Sequence, residues 1–203
     1  MEKGFVFLDE VLPKIRWDAK YATWENFTGL PVTGYEVNRI VGTIELALAL
    51  KTAQEKAAEL GYGLLLWDAY RPQRAVDRFI AWSKEPENGL TKTKHYPNIS
   101  KYEIIPKGYV AEKSGHSRGS AIDLTLFNIN TLELIPMGGD FDLMDTISHH
   151  GAKGITEQET LNRKLLLTIM ESSGFNSYKY EWWHYTLKNE PYPDTYFDFP
   201  ISY

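Results

Sequence analysis

The spacing of apolar residues predicts three elements in the first half of the chain. Residues 40–60 are rich in Ala and Leu, with charged positions on one side, which is typical of an amphipathic helix. Gly61 follows, and glycine commonly ends a helix. Residues 63–67 form a short apolar run after this stop and therefore predict a buried strand. Pro72 is tolerated at the first position of a helix, so we expect a second helix from there to about Trp82.

The second half of the chain adds a long loop, a helix and a strand. Residues 84–110 are polar and interrupted by Pro and Gly, which favours a loop. Thr156 and Glu159 have the spacing of a capping box, which marks the start of a helix that we expect to end near Gly174. Residues 178–187 are predicted to form a final strand.

Helices and strands follow one another without the regular strand–helix–strand repeat of a parallel α/β sheet. The predicted fold class is therefore α+β, with a central, largely antiparallel sheet and flanking helices. The sequence contains no internal repeat, no low-complexity linker and nothing that would mark a domain boundary. We therefore expect residues 1–203 to form a single domain.

Composition and charge exclude several classes of partner. The 203 residues carry a net charge of −5, and Lys and Arg are scattered among acids, so we expect no nucleic-acid partner. Because the chain has no cysteine, disulfides and thiolate metal sites are excluded, and a zinc ion would need His and carboxylate ligands. The apolar run at the N-terminus is too short for a signal peptide, and no stretch approaches a membrane span. We expect a cytoplasmic protein without a membrane partner; the sequence leaves a homodimer open.

One predicted strand carries a carboxylate in its middle. Residues 121–126 alternate apolar and polar, so the apolar positions share one face while Asp123 and Thr125 share the other. A buried carboxylate without a partner is unfavourable. Asp123 therefore lies on a solvated face, pairs with an arginine or binds a metal. The metal interpretation is favoured by His116, seven residues upstream across a glycine-containing turn.

A third ligand is needed, because a catalytic zinc usually has three protein ligands and one open position. His184 can supply it. His95 lies in a polar loop, and His149 and His150 are neighbours whose side chains point apart in an extended segment. These three histidines are interpreted as surface or packing residues.

Glu181 is the candidate proton carrier of the site. It precedes His184 by three residues, and a metallopeptidase needs a carboxylate near the metal to move a proton. Positions three apart on a flat strand face opposite sides. We therefore expect a strand end, bulge or turn between the two residues. The alternative is a surface carboxylate at Glu181, beside tryptophans 182 and 183 that pack in the core.

Arg71 is the candidate group for stabilising negative charge. It follows an apolar strand and a short turn and precedes Pro72. A cation there can stabilise the oxyanion that forms when a peptide carbonyl is attacked, and Asp68 can orient it by a charge-assisted hydrogen bond. The alternative is a surface arginine at the start of a helix, although a helix N-terminus is a poor place for a cation.

Two motifs, complete and in order, connect these residues to a known family. The pattern S-x-H-x-x-G-x-A-x-D runs from Ser114 to Asp123, and E-x-x-H runs from Glu181 to His184. The chain thereby resembles the VanX-type D-alanyl-D-alanine dipeptidases, within the wider group of zinc D-Ala-D-Ala peptidases and hedgehog-like domains. The likeness also includes residues 16–21, 67–72 and 191–194.

The resemblance implies a function and a role for each of these residues. One zinc ion would be bound by His116, Asp123 and His184. Glu181 would act as general base and then as general acid, and Arg71 would stabilise the transition state. The substrate would be free D-Ala-D-Ala, a cell-wall precursor whose removal supports resistance to vancomycin.

The resemblance also implies how the two ends of a dipeptide are bound. Ser114 would receive the substrate carboxylate, and Asp142 with Tyr21 would receive the ammonium group. Asp140 and Asp145 flank Asp142, and all three acids could instead be solvated loop residues. Charged groups at both ends of a pocket would exclude longer peptides, because an amide cannot replace an ammonium or a carboxylate there.

Three alternative functions can be compared with this pattern of residues. A D,D-carboxypeptidase acting on peptidoglycan stem peptides, or an enzyme with both activities, would share all the metal residues. A zinc-containing binding module without catalysis would have no need of Glu181 and Arg71. A serine hydrolase built on Ser114 or Ser117 is rejected, because neither serine lies in a G-x-S-x-G turn.

Overall fold

The computed structural model describes all residues, 1–203, and contains seven strands and five α-helices. The strands are β1 (Phe5–Phe7), β2 (Arg16–Trp17), β3 (Val41–Thr43), β4 (Tyr62–Asp68), β5 (Ala121–Asn128), β6 (Phe175–Tyr178) and β7 (Glu181–Leu187). The helices are α1 (Leu8–Val11), α2 (Ile44–Glu59), α3 (Gln73–Ser83), α4 (Lys92–His95) and α5 (Glu157–Ser172). Short 3-10 turns connect several of these elements.

A five-stranded sheet forms the centre of the fold, in the order β2-β4-β5-β7-β6. Only β2 and β4 run parallel, and the other neighbours are antiparallel. The strands β1 and β3 form a separate antiparallel pair. Helices α2 and α5 pack against this sheet, on β4 and β6 respectively. The α+β class with a largely antiparallel sheet is therefore confirmed.

The long helix in the first half of the chain is shorter than predicted. It begins after Thr43, whose side-chain oxygen accepts a hydrogen bond from the backbone N–H of Leu46 at 3.2 Å. The preceding residues are extended because they pair with β1 and because the carbonyl of Val41 accepts the N–H of Tyr70 at 2.7 Å. Tertiary pairing thus overrides the apolar pattern at the start of this segment.

The C-terminal part of the chain differs in a similar way. The capping box of Thr156 and Glu159 is confirmed, and α5 ends just before Gly174. The predicted single strand over 178–187 is wrong at its start, since the segment is the second half of a hairpin formed by β6 and β7. The predicted loop over 84–110 contains the short helix α4 and one 3-10 turn.

Both faces of strand β5 are buried. Its apolar positions face one continuous core of 44 residues. The polar positions Asp123 and Thr125 on the opposite face are each only 2% exposed. A solvated face is therefore excluded for Asp123, and a buried carboxylate at this position needs partners. No helix of the structure combines the length and apolar character that crossing a membrane requires.

Candidate active site

Three neighbouring strands bring the predicted metal ligands together. Asp123 on β5 lies directly opposite His184 on β7 and opposite Asp68 on β4. Residues directly opposite each other in an antiparallel pair point to the same face, so these side chains form a row across the sheet. His116 reaches the row from a 3-10 turn, Gly115–Arg118, that precedes β5.

The local sequence explains how His116 is presented. The side chain of Ser114 caps the turn by accepting the N–H of His116 at 3.2 Å. Gly119 then leads the chain into β5 with φ of 81°, a left-handed conformation that favours glycine. A Cβ at this position would also lie 2.2 Å from the ring of Phe5. The turn between the histidine and the aspartate therefore depends on this glycine.

The ligand atoms of His116, Asp123 and His184 lie within 4.8 Å of one another. Nδ1 of His184 is 3.0 Å from Oδ1 of Asp123, and Nε2 of His116 is 3.2 Å from Oδ2. The two imidazole nitrogens that face each other are 3.1 Å apart. Two imidazoles and one carboxylate are ligands that Zn²⁺ binds in catalytic sites.

A hydrogen bond outside the cluster sets the tautomer of His116. Its Nδ1 lies 2.7 Å from the carbonyl oxygen of Ala69, which can only accept, so Nδ1 carries the hydrogen. Nε2 then has its lone pair facing the cluster when the ring is neutral. Such a contact is characteristic of metal-binding histidines, since it fixes the ring and its tautomer. The residues present therefore fit a zinc ion.

The charges around the cluster shift two carboxyl groups in opposite directions. Burial opposes the ionisation of Asp123, but the imidazoles of His116 and His184 outweigh it and hold its pKa well below the usual range. Burial raises the pKa of Glu181 to about 7. Asp123 is thereby fixed in its charged form, while the pKa of the neighbouring Glu181 lies close to neutral pH.

Glu181 lies at the edge of the cluster. It is the first residue of β7, and its Oε2 is 3.8 Å from Nδ1 of His184. The register of the hairpin is irregular next to it, between Ser177 and Tyr178 of the partner strand. The expected strand end is thus confirmed, and it allows Glu181 and His184 to face one site. Trp182 and Trp183 are buried, in agreement with the core interpretation.

Arg71 is buried beside the metal ligands rather than exposed at a helix start. Its Nε and Nη2 lie 3.0 and 2.9 Å from the same oxygen of Asp68, and Nη2 is 3.6 Å from Asp123. The other oxygen of Asp68 accepts the hydroxyl of Tyr35 at 2.8 Å. The sequence does not reveal this contact, because Tyr35 lies 33 residues from Asp68 and belongs to no motif.

Of the three neighbouring acids, Asp142 is the one that faces the cluster. Its Oδ2 accepts the hydroxyl of Tyr21 at 2.8 Å. Burial, the nearby Asp123 and the nearby Glu181 raise its pKa well above the usual range. By contrast, Asp145 caps a 3-10 turn through the N–H of Ile147.

Most of these groups line one cavity of about 260 Å³. Its lining includes Tyr21, Arg71, Ser114, His116, Asp123, Asp142, Glu181 and His184. Asp68 lies behind Arg71. The cavity is small enough to limit the site to a small ligand. A second and larger cavity of about 610 Å³ shares no lining residue with it and contains none of the predicted metal ligands.

The fold and this set of side chains define a metallopeptidase. Residues 1–202 match the model of the M15 peptidase family, described as D-ala-D-ala dipeptidase, and the chain belongs to this family. Three curated relatives, each named D-alanyl-D-alanine dipeptidase, match over 202 residues and cover 100% of both chains. They come from Enterococcus faecalis at 65% identity, Enterococcus faecium at 64% and Streptomyces coelicolor at 61%.

Proposed function

We propose that the protein hydrolyses free D-Ala-D-Ala to two molecules of D-alanine, with one zinc ion bound by His116, Asp123 and His184. The observation that carries this proposal is the convergence of these ligands in one small cavity that also contains Glu181 and Arg71. The names of the full-length relatives support the choice of substrate. Removal of this dipeptide from the cell-wall precursors would support glycopeptide resistance.

Glu181 is proposed to move the proton of the reaction. A bound Zn²⁺ would supply Lewis-acid chemistry, which polarises a carbonyl oxygen and lowers the pKa of water from about 15.7 to about 7. A carboxylate oxygen of Glu181 takes a proton from the attacking water as the new C–O bond forms. The same oxygen returns the proton to the nitrogen as the C–N bond breaks, so that the amine leaves in neutral form.

Arg71 is proposed to stabilise the negative charge that develops on the carbonyl oxygen. Arg71 is 8% exposed and its guanidinium group is held by Asp68, so it requires little reorganisation during the reaction. Tyr35 occupies the other oxygen of Asp68 and thereby restricts the rotation of that carboxylate. The arginine would thus be aligned before substrate binds.

The two ends of the dipeptide are proposed to bind at two different polar groups, a carboxylate for the ammonium end and a hydroxyl for the carboxylate end. Asp142 has Tyr21 as its only side-chain hydrogen-bond partner and faces other acids, so a cationic ligand would relieve the unfavourable charge there. Ser114 uses its oxygen only as an acceptor for the turn, which leaves its hydroxyl hydrogen free to donate to a carboxylate. Peptides extended at the amino end would leave Asp142 without a cationic partner, because an acylated nitrogen carries no charge.

A substrate comparison tests the proposal. We expect the purified protein to contain one equivalent of zinc, to cleave D-Ala-D-Ala, and to leave a pentapeptide stem intact. Chelation should remove the activity, and added Zn²⁺ should restore it. Cleavage of the stem at a comparable kcat/KM would instead support the carboxypeptidase or bifunctional alternative. Zinc binding without any turnover would support a binding module.

Replacement of Asp142 by Asn tests the ammonium subsite. We expect KM for D-Ala-D-Ala to rise by about 10²-fold, because a hydrogen bond to a charged group contributes roughly 1.5–3 kcal/mol and the charge itself is also lost. The preference for D-Ala-D-Ala over its N-acetyl derivative should shrink in the same variant. Steady-state kinetics with both compounds measure the two effects.

Asp140→Asn is the matched control for this variant. Asp140 lies two residues away on the same loop but lines the larger cavity instead. Its replacement should leave KM and the preference unchanged. An Asp142→Asn enzyme with the wild-type KM would show that the ammonium group binds elsewhere.

A further inference from the structure

The segment that carries Asp142 has a left-handed backbone conformation and lies outside the regular elements. Asp142 has φ of 57°, in the left-handed region that residues other than glycine seldom adopt. It belongs to no strand or helix, since the nearest element is the 3-10 turn Thr146–Ser148. The position of its carboxylate therefore depends on contacts from other parts of the chain.

His95 provides two such contacts from the end of helix α4. The Nδ1 atom of its ring is 3.2 Å from the carbonyl oxygen of Asp142, and its own carbonyl accepts the N–H of Met144 at 2.7 Å. A carbonyl oxygen can only accept, so Nδ1 must carry a hydrogen. The two bonds flank residue 143 and fix the backbone on both sides of it.

The helix that bears His95 is connected to the segment that packs on Tyr21. The hydroxyl of Thr91 donates to the carbonyl of Phe27 at 2.5 Å, and the ring of Phe27 packs on Tyr21 at 6.1 Å between centroids. His95 is 3% exposed. Burial lowers the pKa of His95 to about 4, so the ring is neutral at pH 7. A buried, neutral donor on α4 therefore links the segment of Phe27, which packs on Tyr21, to the backbone of Asp142.

We infer that His95 is a positioning residue for the ammonium subsite: its ring N–H holds the backbone of Asp142 so that the carboxylate meets the hydroxyl of Tyr21. This inference rests on the proposed role of Asp142 in substrate binding. His95 acts through Asp142 and does not itself line the smaller cavity. Its loss therefore weakens the binding of the substrate ammonium group more than it slows the chemical step.

Two substitutions separate the hydrogen bond from simple packing. His95→Asn keeps an amide donor close to the position of Nδ1, whereas His95→Leu fills similar space without a donor. We expect His95→Leu to raise KM for D-Ala-D-Ala about 10-fold, the effect of losing one buried hydrogen bond, with kcat changed less than about 3-fold. His95→Asn should restore most of the wild-type KM.

The decisive measurement places both substitutions in the Asp142→Asn background. If His95 acts through the carboxylate, His95→Leu should add little to the KM of that variant, as expected for two residues of one unit. His150→Leu is the control, because His150 is a part-buried histidine outside both cavities. It should leave KM unchanged.

The results distinguish a failure of this inference from a failure of the proposed function. If Asp142→Asn alone leaves KM unchanged, the proposed subsite is wrong and the role of His95 is overturned with it. If Asp142→Asn raises KM but His95→Leu raises it equally in both backgrounds, or His95→Asn gives no rescue, only the inference is overturned. If His95→Leu does not fold, His95→Gln gives the same test. Its amide lies near the position of Nε2, so it provides no donor at the position of Nδ1.

Discussion

Glu181→Gln is expected to retain one equivalent of zinc and to lose about 10²- to 10⁴-fold in kcat, the usual contribution of a positioned general acid–base group. The substitution conserves size and some hydrogen bonding but removes the ability to accept a proton. Since Glu181 lies beside the ligand cluster and is not part of it, metal binding should persist. Metal analysis and steady-state kinetics on the same preparation measure both quantities.

The expected loss of kcat follows from the position of the Glu181 carboxylate. Glu181 is 21% exposed at its side chain, so it can reach a ligand in the cavity while most of it is shielded from water. Removal of the base should affect the transition state much more than substrate binding, and KM should therefore change little.

Glu133→Gln provides the matched control for the loss of one carboxylate. Glu133 is exposed, and its side chain lines neither cavity. Its replacement should leave kcat unchanged. A Glu181→Gln enzyme with more than about one tenth of the wild-type kcat would assign the proton transfer to another group, because the loss would fall below that of a general base.

The sequence predicts the centre of this site better than its surroundings. Asp123 and His184 are recognisable because each belongs to a short motif, and the pairing of β5 with β7 places them opposite each other. Periodicity alone could not show that the polar face of β5 is buried. A mid-strand carboxylate has the same pattern whether it faces water or two imidazoles.

The supporting residues could not be predicted for a different physical reason. Tyr35 lies in an irregular segment and His95 ends the short helix α4, and their partners Asp68 and Asp142 are 33 and 47 positions away along the chain. No periodic pattern specifies which residues of two distant segments meet. Such contacts are determined by how the loops cross the sheet, which is a property of the complete fold.

The predicted element boundaries are wrong where backbone pairing competes with the pattern of apolar side chains. The residues of β3 continue the apolar pattern of helix α2, yet they form hydrogen bonds with β1 and with the segment that leads to Arg71. This pairing also fixes the chain just before the arginine, through the bond from Tyr70 to Val41. The wrongly predicted helix start is therefore part of the structure that supports the site.

His184→Ala is expected to abolish stoichiometric zinc binding and to lower kcat/KM by about 10³-fold or more. The two remaining ligands, His116 and Asp123, cannot form the three-residue set of a catalytic zinc site. The several kcal/mol of charge stabilisation that a metal provides would be lost with it. Metal analysis after dialysis measures the first effect, and turnover of D-Ala-D-Ala measures the second.

A thermal measurement distinguishes loss of metal from loss of structure. A ligand present at about 1,000 times its Kd stabilises the folded state by about 4 kcal/mol, so added Zn²⁺ should raise the Tm of the metal-free wild-type protein clearly. The same addition should leave the Tm of His184→Ala unchanged, while His150→Ala should respond like the wild type because His150 lies outside the cluster. Full zinc occupancy in His184→Ala would show that the ion is bound by other residues, and the roles of Glu181 and Arg71 would then have to be reassigned, since both depend on a metal at this position.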